Sequence, residues 1–260
     1  HGAWEAVGDF SEPAVVIFKH VTPCGIGAGA TLKEAFERAW ACDPLSAFGG
    51  ALAFNRKVEA DIAGILSQRF VEVVTAPGYS PEALAILKKK PHLRLLTRQD
   101  PASCEPVLRS LGREVLVGDP DLEVMGESLK IASQRAPTPQ EDEALRFAWT
   151  ACKHVRSNAI VLAGPNATVG IGAGQMSRVD SVHMAGVKYK MFLRDNPAPE
   201  PLVMASDAFF PFRDAVDAAA HVGVTAVISP GGSIRDIEVI AAADEHGLAM
   251  LFTGMRHFKH

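Results

Sequence analysis

The side chains with the clearest chemical potential in this 260-residue chain stand together as Lys19-His20-Val21-Thr22-Pro23-Cys24-Gly25. The run before them, Ala-Val-Val-Ile-Phe at 14–18, has the length and β-branched content of a buried strand. Pro23 and Gly25 are expected to stop that strand. A lysine and a histidine are then delivered side by side at a strand end, a usual place for ligand contacts in α/β sheets. An imidazole titrates near neutrality and can take a proton. An ammonium can stabilise a developing oxyanion. On the dipeptide alone, a surface Lys-His pair ahead of a turn explains the pattern as well.

Other polar groups fall at comparable junctions. Gly-Ile-Gly-Ala-Gly occurs at 25–29 and at 170–174, and Lys-His-Val at 19–21 and 153–155. Two shared words in one order point to two related halves meeting near 118–128, although the intervals differ. The glycine word fits a relaxed dinucleotide fingerprint at Gly25, Gly27 and Ala30. Gln175 and Ser177 break it in the second copy, and no acidic residue follows at the expected distance. Gln175-Met176-Ser177-Arg178-Val179-Asp180 precedes an expected helix at 181–194. It reads as a polar-ligand site or as a loop capped by Asp180 or Ser181. Phe209, Phe210 and Phe212 stand among polar residues and read as the wall of a flat ring pocket or as core. Glu72, inside the apolar run 71–75, needs a partner or an exposed face. The basic tail 254–260 directly follows an expected strand and could fold back over a site.

The elements that must carry these groups alternate. Helices are expected at 31–42 (with a Thr31–Glu34 capping box), 58–68, 81–90, 140–152 and 236–246. Strands are expected at 51–54, 71–75, 93–97, 128–132, 159–163, 202–205, 224–229 and 249–252. A polar surface excursion spans 98–113, after which 114–117 resumes the sheet. The alternation predicts an α/β layered fold. With 48% hydrophobic and 22% charged residues, a sizeable core is available. The net charge of −4, with signs interspersed, argues against a general nucleic-acid binder. No apolar run approaches the roughly 18 residues of a membrane span, and no signal-peptide pattern opens the chain. Cys24, Cys42, Cys104 and Cys152 form no CxxC pair, which argues against zinc or a disulfide framework and for a reducing cytoplasm. The start at His1, without Met, reads as a fragment or as lacking upstream residues.

Seven stretches together resemble one known family. They are Lys-His-Val-Thr-Pro-Cys-Gly at 19–25, Asp-Pro-Leu-Ser-Ala-Phe-Gly-Gly at 43–50, Ser-Asn-Ala-Ile-Val at 157–161 and Gly-Ala-Gly-Gln-Met-Ser-Arg-Val at 172–179. Ser-Asp-Ala-Phe-Phe-Pro-Phe-Arg-Asp at 206–214, Pro-Gly-Gly-Ser at 230–233 and the tail Met-Arg-His-Phe-Lys-His complete the set. In this order, across nearly the whole chain, they are similar to the transformylase portion of the bifunctional AICAR formyltransferase/IMP cyclohydrolase family of purine biosynthesis.

The resemblance implies formyl transfer from 10-formyltetrahydrofolate to the 5-amino group of AICAR, and a homodimer with its site near the subunit interface. It implies two cytidine-deaminase-like α/β/α halves, 1–122 and 123–260, without the deaminase zinc site; Cys24 follows Pro23 but has no CxxC partner. The AICAR amine is conjugated and poorly nucleophilic, so a base should help. By resemblance His20 is that base and Lys19 stabilises the tetrahedral oxyanion. AICAR contacts fall on Gly49, Glu72, Asn158, Arg178, Phe209 and Arg256, and folate contacts on Val179, Asp214, Ser233 and Ile234. Glu72 stands where some members carry Asp, and His260 is a further candidate. The family's preceding cyclohydrolase domain is absent, so ring closure to IMP is not expected. An upstream Arg-Tyr-Gly stretch and a Lys-Leu-Ser-Tyr-Asn-Asn-like segment are also missing, which marks Gly2-Ala3 as a candidate artificial junction and predicts weakened substrate affinity. Two other classes remain open: a catalytically silent nucleotide-binding or dimerisation fragment, and a Rossmann oxidoreductase that would bind NAD(P).

Overall fold

Strands that are apolar along their whole length need a neighbour on each side and helices on both faces, and this chain supplies both twice over. A computed structural model describes residues 1–99, 106–126 and 129–259. The first run is α1 (Gly2–Gly8), β1 (Ala14–Lys19), β2 (Thr22–Ala28), α2 (Leu32–Cys42), α3 (Pro44–Ala47), β3 (Ala51–Phe54), α4 (Ala60–Ser67), β4 (Val73–Ala76), α5 (Pro81–Leu87) and β5 (Arg94–Thr97). Next come β6 (Val107–Leu111), β7 (Glu114–Gly118) and β8 (Lys130–Ile131). The second run is α6 (Pro139–Cys152), β9 (Ile160–Gly164), β10 (Ala167–Gly172), α7 (Arg178–Phe192), β11 (Val203–Ser206), α8 (Asp214–Val222), β12 (Ala226–Ser229), α9 (Asp236–Glu245) and β13 (Ala249–Phe252).

Among the described residues an eleven-stranded mixed sheet runs β5-β4-β3-β1-β2-β10-β9-β11-β12-β13-β8. Each run contributes an antiparallel hairpin and then three parallel strands, in matching order outward from the β2–β10 seam. At the seam the Thr168 hydroxyl accepts from Ile26 N (2.9 Å) and donates to Ile26 O (3.2 Å). The sheet is a middle layer. Alternate β1 residues Val15 and Ile17 pack with α2 and α4, whereas Ala14, Val16 and Phe18 pack in the core shared with α1 and α6. Residues of β9 divide in the same way between α7–α9 and α6. No described helix is long and apolar enough to cross a membrane.

Several expectations are corrected. Residues 25–28 of the first glycine word lie in β2, where the sequence also allowed a loop. A Cβ on Gly25 or Gly27 would collide with the carbonyl oxygens of Ala39 or Ala35 in α2, and one on Gly170 or Gly172 with those of Ala185 or Ser181 in α7. The glycines let each helix lie directly on its hairpin, so the word repeats because the packing repeats. The Lys-His-Val word does not mark equivalent places: 19–21 turns β1 into β2, whereas Lys153 follows α6. Residues 114–117 do not resume the sheet; among the described residues β6 and β7 pair only with each other, in a separate hairpin. The expected strand at 128–132 is reduced to Lys130–Ile131 against β13, with Ser128 outside the described residues. The Thr31 cap receives Glu34 N, but Glu34 returns its bond to Ala30 rather than to Thr31, leaving the box half made. Gly2 and Ala3 lie within α1, an element not expected from the sequence.

The directions of the strands decide where the polar groups gather. The end of β1, the starts of β2, β3, β4 and β9, and the ends of β10 to β13 all lie along one end of the sheet. Gly172→Ala is expected to lower stability by about 1–3 kcal/mol, the range for an overpacked core. Gly8→Ala, where an added Cβ meets nothing within 4 Å, serves as the control. Urea melts of the two variants check this, and equal midpoints would remove the close-packing explanation.

Candidate active site

Lys19 closes β1, His20 adopts a left-handed φ of 56° and, with Val21, makes the turn into β2. Pro23 and Gly25 therefore do not stop a strand but form one. Pro23 lies opposite Phe18 at a register shift in the hairpin, a place that tolerates its missing N–H. The Lys19 ammonium donates to Phe48 O at 2.6 Å. Gly49 follows at φ 68°, and a Cβ there would stand 3.2 Å from Lys19 Nζ. Glycine is thus required twice, for the backbone and for the approaching lysine. Glu72 N donates to Gly50 O, and its carboxylate is exposed. Lys19, His20, Gly49 and Glu72 accordingly meet at one strand-end surface. Beside them a cleft of 260 Å³ is lined by Lys19, His20, Cys24, Asp43, Ile171 and Lys188. Asp43 and Lys188 close it with an ion pair of 2.7 Å between α2's end and α7.

The second cluster adjoins the first through a backbone-to-side-chain bond: Arg156 N donates to Thr22 Oγ1 at 3.4 Å. Two residues on, Asn158 accepts from Arg178 Nη2 at 2.8 Å and donates to Gln175 O and Met176 O. Arg178 is the first residue of α7, whose cap is Ser177, accepting from Asp180 N, rather than Asp180 or Ser181. Its guanidinium is buried and also donates to Ser206 Oγ (2.8 Å) and to the fully buried Asp207 carboxylate. Asp207 takes a further bond from Ser157 Oγ at 2.5 Å. The three phenylalanines do not form one wall. Phe209 lies under Arg256, with Cζ 4.8 Å from the ring centroid, Phe210 is core, and Phe212 is exposed beneath Arg235. The tail does fold back, since His257 N donates to Asp207 O and Ser157 N to Lys259 O. His260 lies outside the described residues.

The remaining expected residues are not brought to this cluster. Val179 packs partly into the core beneath α7. Asp214, the first residue of α8, accepts from the adjacent Ala215 N, and Ser233 bonds within its turn to Asp236 and Arg235. Ile234 projects fully into solvent. Ser233 follows β12, five strand steps from β1, or roughly 24 Å at about 4.8 Å per step.

One end of a two-run sheet thus gathers a Lys-His turn, an Asn-Arg-Asp network and an Arg over an aromatic ring. A family model described as the AICARFT/IMPCHase bienzyme matches residues 1–188. The chain belongs to this family. The bifunctional purine biosynthesis protein PurH of Elusimicrobium minutum (strain Pei191) is 57% identical over 260 residues, which is 100% of this chain and 50% of that protein. The chain therefore spans about half the length of the curated relative it matches.

For this member of the AICARFT/IMPCHase family, residue types at the site narrow the chemistry further. Burial pushes the Cys24 and Cys42 thiols up to about 12, so neither offers a thiolate at neutral pH. Sequence reasoning missed Asp207, Ser157, Asp43 and Lys188. An ionisable residue just past the apolar run Leu202–Ala205 is a signal that could have flagged Asp207; Lys188, mid-helix, carries none. Burial alone would raise the Asp43 carboxyl, but bonds from Lys188 and Ser46 outweigh it and hold it below its ordinary 3.8. A depressed folded value means stabilisation that is full above the unfolded carboxylate range and lost as pH falls through the folded value. Asp43→Asn should lower stability by about 1.5–3 kcal/mol at neutral pH. The gap from wild type should narrow only below about pH 4. Denaturant melts across that range are the check; a gap that stays constant into acid would rule out the ion pair as its source.

Proposed function

We propose that this chain is the formyltransferase portion of its family, an enzyme of purine (IMP) biosynthesis that moves a formyl group from 10-formyltetrahydrofolate to the 5-amino group of AICAR in the cytoplasm. The observation that supports the reading is that Lys19, His20, Gly49 and Glu72, the Asn158–Arg178 pair and the Phe209–Arg256 pair all lie along one end of the sheet, the first two groups linked by the Arg156–Thr22 bond. His20, exposed on a turn whose backbone is fixed by the hairpin, takes the proton of the attacking amine. Lys19, held at the turn by the Phe48 carbonyl, stabilises the oxyanion of the tetrahedral adduct. Asn158 and the Phe209–Arg256 pair hold the nucleotide. Arg178 has most of its donors engaged by the protein, so it acts chiefly by orienting Asn158.

We assign the two runs of elements to cytidine-deaminase-like halves, 1–122 and 123–260. A homodimer follows from the same reading. Val21, Phe48, Met176, Phe212 and Ile234 are exposed apolar side chains around the site end of the sheet, a surface suited to a second copy.

A silent nucleotide-binding or dimerisation fragment is the second reading. It is favoured by the engagement of both Lys19 and Arg178 with the chain's own acceptors. A formyl-transfer assay with AICAR and 10-formyltetrahydrofolate separates the two. Turnover supports the enzyme; AICAR binding without turnover supports the silent fragment. In an active protein His20→Ala is expected to lower kcat by about 100-fold or more while weakening AICAR binding only moderately. Near-normal turnover would remove His20 from the base role.

A further inference from the structure

We infer that His257 is a positioning residue for Arg256, setting where that guanidinium stands over Phe209 and hence how tightly AICAR is held; the inference rests on the proposed role of Arg256. Arg256 is itself exposed, and its ring contact with Phe209 does not fix its backbone. The next side chain does. His257 is 1% exposed. Its Nδ1 stands 2.7 Å from Asp121 Oδ2 and its Nε2 3.3 Å from Val124 O, a carbonyl that can only accept. The same carbonyl accepts from Trp149 Nε1 at 2.7 Å, and the His257 and Trp149 rings pack with centroids 5.0 Å apart. The connector at 121–124 and the buried end of α6 therefore grip one imidazole between them. Burial alone would raise the Asp121 carboxyl, but the His257 bond outweighs it and keeps Asp121 below the ordinary carboxylate range, so an ionised acceptor faces the ring. Consecutive Cα atoms are held about 3.8 Å apart, so anchoring residue 257 limits how far the backbone of residue 256 can move.

The test is a double-mutant cycle of His257→Ala and Arg256→Ala in this chain, reading the Kd for AICAR by calorimetry, kcat/KM for formyl transfer and the thermal midpoint. Each single variant should raise Kd by about tenfold, with kcat/KM falling by at least as much. The double variant should be no weaker than Arg256→Ala alone, because His257 acts through Arg256. A general loss of stability would lower the midpoint without producing that non-additive pattern. His257→Gln, which keeps one donor toward Asp121, should recover part of the affinity, and it replaces His257→Ala in the cycle if the alanine variant does not fold. Unchanged Kd in the His257 variant, or effects that multiply in the double variant, would overturn the positioning role alone. A wild-type chain that binds no AICAR would instead overturn the proposed function and this inference with it.

Discussion

The site end of the molecule depends on how closely two glycine-bearing strands let two helices approach. Gly25 and Gly27 in β2, and Gly170 and Gly172 in β10, present bare backbone to α2 and α7. A methyl group at any of them would push a helix outward against a carbonyl oxygen. With the helices seated, α2 and α7 contact each other across the seam, and Asp43 at the end of α2 reaches Lys188 of α7. The same seam holds Thr168 to Ile26 through both backbone groups. This places the Lys19–His20 turn beside the 156–158 segment, whose backbone bonds to Thr22. Removing the close approach would separate the two clusters before any site residue was changed.

Buried charge then orders what the backbone has brought near. Arg178 and Asp207 are both out of water, and such a pair adds little net stability relative to apolar packing, although breaking it leaves an uncompensated charge. Its effect is geometric. One guanidinium reaches Asn158, Ser206 and Asp207, and Asp207 in turn holds Ser157 and, through its carbonyl, the tail. Three segments far apart in sequence are registered by one ion pair. Arg135 and the buried Glu141 perform a comparable task at the start of α6, where the carboxylate also completes a capping box with Thr138.

Much of this could be read from residue patterns. The strand before Lys19, the α/β alternation and the capped helix after Thr31 follow from apolar runs and caps that act locally. What could not be read was pairing. The stretch 114–117 has the composition of a strand, yet composition carries no information about its neighbour, and it joins β6 instead of the sheet. The expectation that Pro23 and Gly25 end a strand failed because a hairpin and a strand end share their turn residues. The seven words were legible as a set, and of the ten expected binding residues Asn158 is bonded to Arg178 and Phe209 lies under Arg256. That Arg178 would spend its donors on Asn158, Ser206 and Asp207 depended on a buried aspartate 29 residues away, which no local pattern reports.

The reversal of the second run relative to the first explains why the two ends of the sheet differ in kind. Strands β11 to β13 point toward the site end, so the loops after them, with Phe209, Ser233 and Arg256, arrive where α/β sheets place ligands. Strands β3 to β5 point the other way, and their loops arrive at the opposite end. There Asn55 donates to Phe10 O and Glu12 O and accepts from Ala14 N, so its amide is consumed in fastening the entry of β1. The first run thus gives its strand-end loops to structure and contributes to the site through a hairpin turn and strand starts. That division accounts for an asymmetry in the fold: the Lys19–His20 pair comes from a tight turn whose backbone the hairpin fixes, while Phe209, Ser233 and Arg256 come from longer connections, and a buried anchor such as Asp207 keeps the tail in place.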